Sequence, residues 1–102
     1  PPGVRETLLV RSNVLLGKPA EARKIMPVLE RRAIRGEVPK TVVGFAYSAL
    51  GDRDKAVQWL DRGLNAREAN FRDGIRTPVV RKLRGDPRYA ALLARLERGF
   101  DD

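Results

Sequence analysis

Apolar residues recur along the chain at intervals of three and four, which is the spacing of amphipathic helices, and short polar turns separate these runs. Residues 66–76 are polar and contain a glycine, which predicts a loop or a short irregular helix. The pattern therefore predicts an all-α fold. Its helices are expected at about residues 4–16, 19–35 and 39–50, after a cap at Asp54, from about Pro78 to Leu83, and from Asp86-Pro87 onward.

Each predicted helix carries an apolar stripe that is expected to face the core. The helix at about 4–16 is apolar nearly all round, which indicates a position between two neighbours. The other stripes are Ala22, Ile25, Met26, Leu29 and Ala33; Val42, Val43, Ala46, Tyr47 and Leu50; Ala56, Val57, Leu60 and Leu64; and Tyr89, Leu92, Leu93, Leu96 and Phe100. Pro27 lies in the middle of the helix at 19–35. A kink or a break is expected there, because proline removes a backbone hydrogen bond.

Small residues repeat along the chain with a spacing of 34. The repeated residues are the glycines Gly17, Gly51 and Gly85 and the alanines Ala22, Ala56 and Ala90. A glycine can end a helix because it adopts the left-handed conformation without strain. An alanine early in the next helix lets that helix pack closely against the preceding one. The spacing thus predicts antiparallel helical hairpins that stack on one another.

The chain has 102 residues, which suits one domain. The predicted units are a first repeat at about residues 3–36, a second at about 37–70, and a degenerate third repeat or cap at about 71–100. The third unit keeps its glycine and alanine, but its first helix is short. We therefore expect two hairpins followed by a closing helix.

The central unit carries the residues that indicate the type of repeat. They are Gly44 and Tyr47 in the first helix, Gly51 in the turn, and Ala56 and Leu60 in the second helix. This unit resembles the tetratricopeptide repeat, a 34-residue pattern with glycine, tyrosine and alanine in the same phase. Lys40, Leu60 and Glu68 stand where the pattern has tryptophan, phenylalanine and proline. The resemblance implies a short right-handed solenoid with a C-terminal capping helix.

The first helix of each tetratricopeptide repeat lines a concave groove that holds an extended peptide or a partner helix. The resemblance therefore implies that partner-binding side chains occupy equivalent positions in this chain. These positions are Thr7, Arg11, Val14, Thr41, Phe45, Ser48, Arg72 and Arg76. Phe45 has two interpretations that the sequence leaves open, an aromatic anchor for a partner or a residue that packs on the neighbouring helix.

The second half of the chain is also similar to a C-terminal segment of bacterial multidomain regulators. The shared stretches are Ala49-Leu50-Gly51-Asp52, Trp59-Leu60, Leu83-Arg84-Gly85-Asp86-Pro87-Arg88-Tyr89 and Leu92-Leu93. In such regulators the segment closes a repeat array behind a DNA-binding or signalling domain. The resemblance implies a bacterial source and a larger parent protein.

The composition narrows the possible chemistry. The sequence contains neither histidine nor cysteine, so the commonest general base, thiolate nucleophiles and the usual zinc ligands are absent. It also lacks a phosphate-binding glycine loop, a nucleophile elbow and a paired-acid motif. Asp52 and Asp54 lie in a turn, where helix capping is their expected role. We therefore expect no enzymatic activity, no cofactor and no metal.

The formal net charge is +8, which attracts acidic partners, including nucleic acid, but also arises from ordinary solvated helix faces. The cluster Arg31, Arg32 and Arg35 falls at a helix end, where cations offset the helix dipole, although it could also contact phosphates. Trp59 is expected to pack in the interior. The leading interpretation is a cytoplasmic protein–protein interaction module that binds a peptide or helix.

Two alternatives remain from the sequence. One is a structural cap or self-association segment. The degenerate last unit and the charged C-terminal end favour it, because terminal repeats need a polar outer face. The other is a basic surface for nucleic acid, which charge alone supports and which we do not expect as the main role. No apolar run approaches the length of a membrane span, so a membrane partner is not expected.

Overall fold

The computed structural model describes residues 17–68, 71, 75 and 78–98. Its helices are α1 (Pro19–Ile34), α2 (Lys40–Leu50), α3 (Arg53–Asn65), the 3₁₀ helix η1 (Pro78–Leu83) and α4 (Pro87–Glu97). These residues contain no strand, which confirms the predicted all-α class. The helix predicted at about 4–16 and the residue Phe100 lie outside the described residues.

Three of the helices start with the predicted 34-residue spacing. α1, α3 and α4 begin at Pro19, Arg53 and Pro87. The glycine just before each start, at 17, 51 and 85, has a positive φ of 74°, 83° or 87°. The left-handed conformation predicted for these three glycines is thus confirmed, and it precedes the next helix at the same point of each unit.

α2 is the central element of the described structure. It packs against α1, α3 and η1, while α3 also packs against α4. Of the α2 side chains after Lys40, only Val42 and Ala49 are partly exposed, and the others are buried. A helix that is covered on nearly every side forms the interior of a small helical protein, so α2 is the core helix of the described structure.

The α2 and α3 backbones approach closely because glycines occupy the points of contact. A Cβ added to Gly44 would lie 2.7 Å from Cγ of Leu60, and one added to Gly63 would collide with Cγ2 of Thr41. The same added Cβ on Gly63 would lie 2.8 Å from Oε1 of Glu68. Any larger residue at these positions would force the two helices apart.

The apolar stripes are largely as predicted. The buried core includes Ala22, Met26, Leu29, Ala33, Val43, Ala46, Tyr47, Leu50, Ala56, Val57, Leu60, Leu64, Tyr89, Leu92 and Leu96. Ile25, Val42 and Leu93 are partly buried against it. Trp59 is also buried, as expected, and the guanidinium of Arg62 lies over its ring at 4.7 Å from the centroid.

Ala90 departs from the prediction. Its equivalents Ala22 and Ala56 are fully buried, whereas Ala90 is exposed. The preceding element in this unit is only the six-residue η1, and η1 packs mainly against α2. The expected close packing of Ala90 on a preceding helix is therefore wrong, because the element before α4 is the short η1, which packs on α2 instead.

Two further local predictions concern Pro27 and Asp54. α1 runs without interruption through Pro27, which is exposed, so of the predicted kink or break the break does not occur. At the surface, water can solvate the carbonyl group that proline leaves without a donor. The cap of α3 is Asp52 rather than Asp54, since Oδ1 of Asp52 accepts a hydrogen bond from the Lys55 amide at 3.2 Å. Asp86 caps α4 as predicted, with Pro87 at the first helical position.

Candidate partner-binding surface

The three predicted groove residues within the described structure all lie on α2 and are buried. Thr41 and Ser48 are 0% exposed and Phe45 is 6% exposed. The ring of Phe45 meets that of Phe71 edge to face, with centroids 6.0 Å apart and planes at 63°. For Phe45 the structure thus shows the packing role that the sequence left open. In this arrangement the three side chains are not accessible to a partner.

The other predicted groove residues are not part of the described structure. They are Thr7, Arg11, Val14, Arg72 and Arg76. The groove assignment for these positions remains a prediction from the tetratricopeptide resemblance. Any accessible partner-binding surface in the described residues must therefore use other side chains.

Glu68 fixes the N-terminal end of α2. Its Oε2 accepts a hydrogen bond from the Lys40 amide at 2.8 Å, and its Oε1 accepts one from the Thr41 amide at 2.9 Å. The residue at the cap position itself is Pro39, which offers no side-chain acceptor. A carboxylate distant in sequence therefore satisfies two orphan amides of the helix and lies favourably at its positive end.

The backbone around Arg67 places Glu68 for this role. Arg67 has a positive φ of 59°, and the amides of Arg67 and Glu68 donate to the carbonyl groups of Leu64 and Gly63 at 3.0 and 3.1 Å. This is the Schellman termination of a helix, with arginine where glycine is usual. Local sequence does not predict this cap, because Glu68 and the amides that it accepts from are almost thirty residues apart.

Tyr47 joins three helices. Its hydroxyl donates to Oε1 of Glu30 on α1, and the ammonium group of Lys55 on α3 lies 5.3 Å from the centre of its ring. Burial, followed by the hydrogen bond to Glu30, raises the pKa of Tyr47 above its usual range. Tyr47 therefore stays protonated and acts as a donor that ties α2 to α1, which is a structural role.

Two arginines of α4 reach back to α3. Arg88 bonds Oδ1 of Asp54 at 2.8 Å and Oδ2 of Asp86 at 2.8 Å. Arg95 bonds Oδ1 of Asp61 at 2.6 Å. The Arg88 side chain and its amide together lower the pKa of Asp86 to about 2, so this cap remains charged under ordinary conditions. These contacts pair the carboxylates of Asp54 and Asp61 on α3 with arginines of α4.

The outward side of α1 differs from the other described surfaces. Val28 and Ile34 are exposed by 41% and 72%, and they are the large hydrophobic side chains that the described residues leave exposed. With about 100° of rotation per residue, Lys24 and Arg31 lie between them around the helix. We call this surface the α1 outer face, which comprises Lys24, Pro27, Val28, Arg31, Ile34 and Arg35.

From the sequence, Arg31 and Arg35 are expected to offset the helix dipole or to contact phosphates, and Val28 and Ile34 have no predicted role. Their position around the helix already predicts exposure, because both lie outside the apolar stripe of the same helix. An aliphatic residue off the stripe is expected at the surface. The α1 outer face therefore combines accessible cations with accessible aliphatic groups, and it can form both ion pairs and apolar contacts.

The described residues show no group of three or more acidic, histidine or cysteine side chains that could hold a metal ion. Among the helices given above, none has the length and apolar character needed to span a membrane. Comparison with protein-family models, with curated proteins and with solved structures gave no match to this chain. The functional assignment therefore depends on the chain's own residues.

Proposed function

We propose that this chain is a protein–protein interaction module, a short helical-repeat scaffold of the tetratricopeptide type that ends in a capping helix. The observation that carries the proposal is the 34-residue register of its helices. α1, α3 and α4 begin at equivalent positions, and α2 packs against both α1 and α3. This is the arrangement expected when each hairpin stacks on the next.

Stacked hairpins suit binding rather than catalysis. They present side chains at fixed positions on a rigid backbone, and this chain has no histidine or cysteine to perform common acid–base or nucleophilic chemistry. Since Thr41, Phe45 and Ser48 are interior, the proposal places the partner on the outer surface of the described helices. The natural ligand of such a module is another protein.

A selection experiment tests this proposal. The folded chain is used to select ligands from a displayed peptide library, and isothermal titration calorimetry then measures their stoichiometry. We expect saturable binding with one peptide per chain. The control is Phe45→Glu, which puts a carboxylate against Phe71 in the interior and should abolish both the fold and the binding. If the folded chain selects no ligand that binds saturably, the proposal is contradicted.

The contacts between α3 and α4 favour a second candidate, a structural cap that closes a repeat array. Arg88 and Arg95 hold the last helix against the one before it through Asp54 and Asp61. Analytical ultracentrifugation over a wide concentration range tests the related idea of self-association. A chain that stays monomeric at the highest concentration would leave the cap without a self-associating role.

A nucleic-acid surface receives less support. Recognition of single strands uses exposed aromatic side chains as stacking platforms. The aromatic residues of the described structure are all buried, namely Phe45, Tyr47, Trp59, Phe71 and Tyr89. What remains is net positive charge, which gives weak and salt-sensitive binding without selectivity.

A further inference from the structure

The α1 outer face has a regular layout along the helix. Lys24, Val28, Arg31 and Arg35 are spaced as i, i+4, i+7 and i+11, which places them in one row along the helix, with Val28 at one edge of it. The row spans about 16 Å at 1.5 Å per residue. Ile34 lies to one side of this row and is the most exposed large hydrophobic side chain of the described residues. A second helix laid along α1 would meet this spacing directly.

The cations of this row are available to a partner. Lys24 pairs with Glu21 at 3.1 Å and Arg35 with Glu37 at 3.9 Å, and all four side chains are largely exposed. Such exposed pairs are weak and exchange readily. Within the described part of the chain, Arg31 has no carboxylate partner. An incoming carboxylate can therefore bind without displacing a strong contact.

We propose that the α1 outer face binds an acidic amphipathic helix of a partner protein. The carboxylates of that helix would pair with Lys24, Arg31 and Arg35, and its aliphatic side chains would cover Val28 and Ile34. Charge complementarity selects an acidic partner, and the i, i+4, i+7, i+11 spacing selects a helical one. This inference rests on the proposed function, because it names the partner class of the same module.

The order of residue types across the face argues against a membrane. A helix that lies on a lipid surface has its apolar groups in the middle of the buried side and its cations at the edges. Here the cations Lys24 and Arg31 lie in the middle, and Val28 and Ile34 lie on either side. Insertion of either aliphatic group would bury the cations. A protein helix can instead match both kinds of side chain.

Fluorescence anisotropy with designed peptides tests the proposal on the complete chain. The probe is a labelled helical peptide of about 18 residues with its glutamates and leucines on one face. The control peptide has the same composition distributed around the helix. We expect the chain to bind the one-faced peptide at least about fivefold more tightly. Equal affinity for the two peptides would overturn the proposal, and this comparison needs no substitution in the protein.

Matched variants locate the surface. Arg31→Gln with Arg35→Gln should weaken binding of the one-faced peptide by about tenfold. The control is Arg81→Gln with Arg84→Gln, which removes the same charge from exposed positions at η1 and should change affinity by less than about twofold. Equal losses would show that bulk charge is responsible, and the proposal would fail. Circular dichroism checks that each variant is folded.

Ile34→Ser tests the apolar contact separately. It should weaken binding of the leucine-containing peptide and leave unchanged the binding of a peptide with serine in place of leucine. Stronger binding to phosphatidylserine vesicles or duplex DNA than to the peptide would overturn the proposal in favour of those partners. A dimer in the wild type that Ile34→Ser abolishes would assign the face to self-association instead.

The two proposals can fail separately. If library selection yields saturable ligands that bind the Arg31 and Arg35 variant as well as the wild type, the interaction module stands and the α1 outer face is excluded. If selection yields no ligand, the module itself fails. Selected ligands that are rich in glutamate and leucine at helical spacing, and that require Arg31, would support both.

Discussion

Arg95 on α4 donates a hydrogen bond to Oδ1 of Asp61 on α3 at 2.6 Å, and the two residues are 34 positions apart. Arg88 and Asp54 are separated by the same number and meet at 2.8 Å. Equivalent positions of successive units thus carry opposite charges that bond to each other. The sequence period is therefore also a contact pattern, and it fixes α4 in register with α3.

The Arg95 pair should make a modest contribution to stability. Both side chains are partly exposed, so Arg95→Met should lower the free energy of unfolding by about 0.5–1 kcal/mol, including the loss of its bond to Asn65. Urea denaturation at low salt measures this change, and about 1 M NaCl should reduce it. Arg81→Met is a control at an exposed position. A double-mutant cycle with Asp61→Asn that gives no coupling energy would contradict the prediction.

The cap of α4 makes stability depend on pH. The Arg88 side chain, followed by the Arg88 amide, lowers the pKa of Asp86 from 3.8 to about 2 in the folded chain. The unfolded state therefore binds this proton first as the pH falls. The stabilisation is complete above the unfolded value of 3.8 and is lost as the pH falls toward about 2.

Thermal unfolding between about pH 2 and pH 7 tests this contribution. Asp86→Asn keeps an acceptor for the Arg88 amide but cannot titrate, so its melting temperature should fall less steeply below about pH 4 than that of the wild type. Glu97→Gln, which removes another carboxyl group from the same helix, serves as the control. Identical slopes for Asp86→Asn and the wild type would contradict the assignment.

Thr41 carries a buried hydroxyl group that has no hydrogen-bond partner among the described residues. Within the described residues, its Oγ1 makes no hydrogen bond although the side chain is 0% exposed. Thr41→Val keeps the shape and removes this unpaired group, so it should raise the free energy of unfolding by about 0.5–2 kcal/mol. Thr41→Ser keeps the hydroxyl group, loses a buried methyl group and should lower stability. A destabilised Thr41→Val would show that the hydroxyl group is paired.

The close approach at Gly63 should make this position intolerant of a side chain. The methyl group of Gly63→Ala would meet Thr41 Cγ2 and Glu68 Oε1, and the strain should exceed the gain in helix propensity by about 1–3 kcal/mol. Thr41→Ser removes Cγ2, so the double variant should recover part of the loss. Chemical denaturation of the single and double variants measures this. A Gly63→Ala protein as stable as the wild type would contradict the observed packing.

Local chemistry made much of the fold predictable. The α4 cap follows from Asp86 and Pro87, the turn conformation from glycine, and the buried faces from the spacing of apolar residues. Prediction failed where the outcome depends on a distant neighbour. Ala90 is exposed because η1 replaces a full helix, and this replacement is not encoded at Ala90 itself.

The candidate site was less predictable for the same reason. Phe45 has the size and position of a groove anchor, but it is interior in the folded chain, where its ring packs against Phe71. Helical periodicity gives the direction of a side chain but not the element that covers it. Val28 and Ile34 are the opposite case, since their phase already placed them outside the stripe. The structure adds that the neighbouring helices leave both side chains exposed.

Arg67 is a site where the chain carries avoidable strain. It has a φ of 59°, a conformation that costs a residue with a Cβ about 1 kcal/mol relative to glycine. Arg67→Gly should therefore stabilise the protein by about 0.5–1 kcal/mol, measured by chemical denaturation, because it relaxes the turn while the Glu68 cap on α2 is retained. Arg67→Ala also removes the charge but keeps the strain, so it separates the two effects. If both variants gain equally, the stabilisation comes from the lost charge, and if Arg67→Gly is destabilised, the turn is not strained.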